Sequence, residues 1–146
     1  MIADSFTSET DYVRESLNIN LPKPDKIVYS VKTKDQFFGM DDCYDYSYEI
    51  WQYNNTDVKK LKESFDWSEA VPIQNNVKIN TFLATLNSSY CFPKDEQKNL
   101  IKNYPNFSED SLFYEVNNLG DNNEGNSLFM ILDPKTSILY LFERYW

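Results

Sequence analysis

At 146 residues the chain is the size of one domain, long enough to bury a single core without metal or disulfide support. Its 23 acids against 14 bases give a net charge of -9, which excludes nucleic acid as a direct ligand, because such affinity rests on Lys and Arg neutralising phosphates. No apolar stretch approaches the ~20 residues needed to span a bilayer. Residues 1–12 lack the basic and apolar regions of a secretory signal, so a cytoplasmic location is the default expectation.

Residues 8–18, SETDYVRESLN, open with Ser8 and Asp11 three positions apart, a capping-box pattern, and place Val13 and Leu17 on one face, so a helix is predicted here. Two prolines in NLPKPDK stop it and hold the chain extended. KIVYSVKT then alternates as a strand, with Ile27, Tyr29 and Val31 on one face. FFGMDD reads as a turn around Gly39. From residue 43 the period of two returns: Tyr44, Tyr46, Tyr48 and Ile50 point one way, expected inward, and Cys43, Asp45, Ser47 and Glu49 the other.

NNTDVKKLKESF is predicted as a helix capped at Asn55 or Thr56, with Val58, Leu61 and Phe65 on its inner side. Ile79, Phe82, Leu83 and Leu86 recur at helical spacing. PKDEQKNLIKNY sets Pro93 at the first position of another helix, ahead of Leu100, Ile101 and Tyr104. SLFYEV fits a strand or an irregular cover, and NNLGDNNEGN a polar loop. SLFMIL and SILYLFERYW flank DPKT, a type I turn sequence, and their apolar residues on both faces predict a central hairpin. The expected architecture is a single α+β domain over residues 1–146. It has an antiparallel sheet of four to five strands with three to four helices packed mainly on one face.

The residue inventory narrows the chemistry. The chain has no histidine, which removes His-dependent nucleophile activation, His-ligated zinc and the imidazole proton shuttle. Its three glycines form no phosphate-cradling motif. Cys43 and Cys91 belong to no CxxC or zinc spacing, and their aromatic neighbours favour buried structural thiols. Asp41, Asp45 and Glu49 supply carboxylates for glycoside hydrolysis. Same-face strand residues four apart, however, are separated by about 13 Å at ~3.3 Å rise, too far for a catalytic pair along one strand. GDNNEGN does not follow the EF-hand order of ligands. No catalytic residue, metal ligand or cofactor is therefore expected.

Trp51 and Tyr53 fall on the acidic side of their strand, where aromatics beside carboxylates resemble the anchor and rim of a protein interface. The favoured expectation is a non-catalytic acidic binding protein that inhibits a basic partner, as a bacterial immunity protein masks the cationic cleft of a nuclease-like toxin. Asp41, Asp42, Asp45 and Glu49, then Asp121 and Glu124, are the expected steering acids, with Trp51 or Tyr53 as anchor. A ligand-binding module of extracellular or lipoprotein type is the alternative, and a carboxylate-dependent hydrolase the third.

Overall fold

The computed structural model describes residues 21–32, 45–69, 76–87, 94–119 and 125–145. The predicted helix over 8–18, the turn at Gly39, Tyr44, Pro93 and both cysteines lie outside them. The described strands are β1 (Lys26–Lys32), β2 (Asp45–Gln52), β3 (Ser68–Glu69), β4 (Leu112–Leu119), β5 (Gly125–Asp133) and β6 (Ile138–Tyr145). The described helices are α1 (Asn55–Ser64), α2 (Val77–Leu86) and α3 (Lys94–Lys102). The fold is α+β: one antiparallel sheet in the order β1-β2-β6-β5-β4-β3, with two helices on one face and the third on the other.

The terminal hairpin is central, as its two apolar faces require. β6 pairs with β2 on one side and β5 on the other. Its turn is held by Asp133, a buried carboxylate that accepts from the Lys135 N–H at 3.1 Å and from the Ser108 hydroxyl at 2.8 Å. The Asp133 side chain thereby ties the hairpin to the segment after α3. At the other end of the turn the Ser137 carbonyl accepts from the Tyr53 N–H, fastening the turn to the end of β2.

Each face of the sheet has its own apolar layer. On the first, Val31, Tyr48, Phe142 and Phe129 form one row across β1, β2, β6 and β5. Phe142 stacks on Tyr48 (centroids 5.0 Å) and on Phe129 (4.9 Å). Phe82 of α2 stands edge-on to Phe129, Phe142 and Tyr46, the T-shaped geometry that matches ring edge to ring face. The spacing of Ile79, Phe82, Leu83 and Leu86 predicts this, and all four are buried. From α3, Leu100 is buried while Ile101 is exposed.

The second face carries Trp51, Leu139, Leu132 and Leu112 in one row, covered by Val58 and Leu61 of α1 and by Leu21. α1 is capped one residue earlier than predicted: the Asn54 side chain accepts from the Asp57 N–H at 2.8 Å. The expected shared face of Ile27, Tyr29 and Val31 is broken by a register shift between Ile27 and Tyr29. Val28 is the extra residue, 45% exposed, so Ile27 joins the second layer while Tyr29 and Val31 stay with the first.

Candidate partner-binding site

The sheet register brings several chain ends to one end of the molecule. β1 finishes at Lys32, opposite Ser47, close to where β2 begins at Asp45. Asp45 faces Tyr145 at the close of β6, and β4 finishes at Leu119 opposite Gly125, the first residue of β5. The connections of residues 33–44 and 120–124 therefore both leave and re-enter the sheet at this end. They carry the expected steering acids Asp41, Asp42, Asp121 and Glu124, which themselves lie outside the described residues, as does the Asp45 side chain.

The two connections hold five acids (Asp35, Asp41, Asp42, Asp121 and Glu124) and one base, Lys34, and residues 1–20 hold four acids and Arg14. Outside the described residues lie nine acids (Asp4, Glu9, Asp11, Glu15, Asp35, Asp41, Asp42, Asp121 and Glu124) and two bases, Arg14 and Lys34. They account for -7 of the net -9, leaving 14 acids against 12 bases on the described residues. Three of those 14, Glu49, Asp133 and Glu143, are buried.

Three expected site residues are relocated. Trp51 has no exposed surface and Tyr53 almost none, so neither is the surface anchor the sequence suggested. Glu49 is buried as well, and its carboxylate accepts from the Trp51 indole N–H at 3.0 Å. Ser47, also expected to face water, is buried. The physical reason is the second layer: α1 and Leu21 cover that face of β2, so its polar half is interior along with its aromatic half. One signal in the sequence pointed this way. β5 and β6 are apolar on both faces, so both faces of the sheet need a cover, and a strand paired with β6 shares it.

Buried tyrosines fasten the segments around the sheet. Tyr48 donates to the Asn103 carbonyl at 2.6 Å, Tyr53 to that of Pro22 at 2.7 Å and Tyr140 to that of Asn106 at 3.0 Å. Burial pushes the Tyr48 phenol far up, with neighbouring tyrosines adding to it. Tyr53 is raised by burial and by the Asp57 carboxylate. Tyr29 is pushed up to about 12 by burial, with Glu96 contributing. The Tyr48, Tyr53 and Tyr140 phenols stay neutral and serve as structural donors.

Among the described residues no group of three Asp, Glu, Cys or His side chains is placed to hold a metal ion, and no helix is long and apolar enough to cross a membrane. No protein-family model matches the chain, and no curated protein or solved structure is significantly similar to it.

Proposed function

We propose that the protein is a non-catalytic binding protein of the immunity type, which inhibits a basic partner by covering its cationic surface with acids gathered at one end of the sheet. The observation that supports this reading is that the strand ends flanking two acidic connections lie at one end of the sheet. Residues 33–44 and 120–124 each have a net charge of -2, and the strands they join begin and end side by side. The described residues are close to charge balance, with 14 acids against 12 bases. A negative field concentrated at one end steers a cationic partner to that end, and steering acts on the rate of encounter. Trp51 and Tyr53 have no part in this contact, because they belong to the core.

The test is to capture the partner by pull-down, identify it by mass spectrometry, and measure binding kinetics and inhibition with purified components. Reversing Asp41, Asp42, Asp121 and Glu124 to Lys should lower the association rate about tenfold or more and flatten its dependence on ionic strength. Binding that ignores both salt and these reversals would overturn the acidic-end reading. A captured partner whose activity is unchanged on binding would overturn inhibition.

A further inference from the structure

We draw no further inference here: the strongest candidate, the cleft of about 330 Å³ between α2 and the first face of the sheet, carries none, because Arg144 in its wall is already engaged by a group that the described residues do not show, so nothing in the structure says what charge or chemistry of ligand the cleft would take.

Discussion

The indole N–H of Trp51 donates to the carboxylate of Glu49, two residues back on the same strand, at 3.0 Å, and both side chains are buried. A carboxylate removed from water needs its lone pairs occupied, and the nearest large side chain on the same face of β2 supplies one donor. What the sequence presents as an acid beside an aromatic on a wet surface is an internal pair beneath α1. Trp51→Phe keeps most of the ring volume and removes the donor, so it should cost roughly 1–3 kcal/mol in denaturant melts, and Trp51→Ala roughly 3–5 kcal/mol. Neither should alter the rate of association with a captured partner. A slower association at unchanged stability would return Trp51 to the interface.

Phe82 is the keystone of the opposite layer. Its ring meets Tyr46, Phe129 and Phe142 edge-on at 5.0 to 5.5 Å, so truncation loses three aromatic contacts and leaves a cavity that stacked neighbours cannot fill. Phe82→Ala should cost about 4 kcal/mol by denaturant titration, while Thr81→Ala, one residue away and exposed, should stay within about 0.5 kcal/mol.

The position of β6 makes the C-terminal segment indispensable. Removing residues 138–146 takes away the strand that joins β2 to β5 and uncovers the inner edges of both. The truncated chain should show no cooperative thermal transition and should aggregate, since two apolar strand edges are then unpaired. A soluble truncation with a sharp melt would mean that the two halves of the sheet hold without their connecting strand.

Stability should fall on the alkaline side through the tyrosines. Folding raises the Tyr48 and Tyr53 phenols above their unfolded value of ~10, so the folded state retains protons that the unfolded state releases. Their contribution is fully present below about pH 10 and declines as pH rises toward the folded values, by up to ~1.4 kcal/mol per pH unit for each phenol held neutral. Chemical melts between about pH 9 and about pH 12 should show this slope, with phenolate absorbance from the buried tyrosines appearing together with unfolding. Tyr48→Phe and Tyr53→Phe should each flatten it, at a cost near 1 kcal/mol at neutral pH for the lost hydrogen bond to Asn103 or Pro22.

Local pattern by itself determined much of the fold. Tyr46, Tyr48 and Ile50 alternate because they lie on a strand. Ile79, Phe82, Leu83 and Leu86 recur at three and four because they lie on a helix, and residues 128–132 and 138–142 are apolar on both faces because their strands are central. The acids at 41, 42, 121 and 124 were visible as residues, but that the strand ends flanking their connections lie at one end of the sheet was not, because it depends on which strands pair and in what register. The cleft between α2 and the first face of the sheet was equally hidden, since its lining comes from α2, β2, β4, β5 and β6. Tertiary structure alone decided the environment of Glu49 and Trp51. The period of a strand states which side chains share a face, and only a second layer, here α1 and Leu21, decides whether that face meets water. The bulge at Val28 is the same lesson at the scale of one residue. A single unpaired position exchanges the two faces, so Ile27 packs on one side of the sheet and Tyr29 on the other, because side-chain direction is counted from the pairing and not from the sequence.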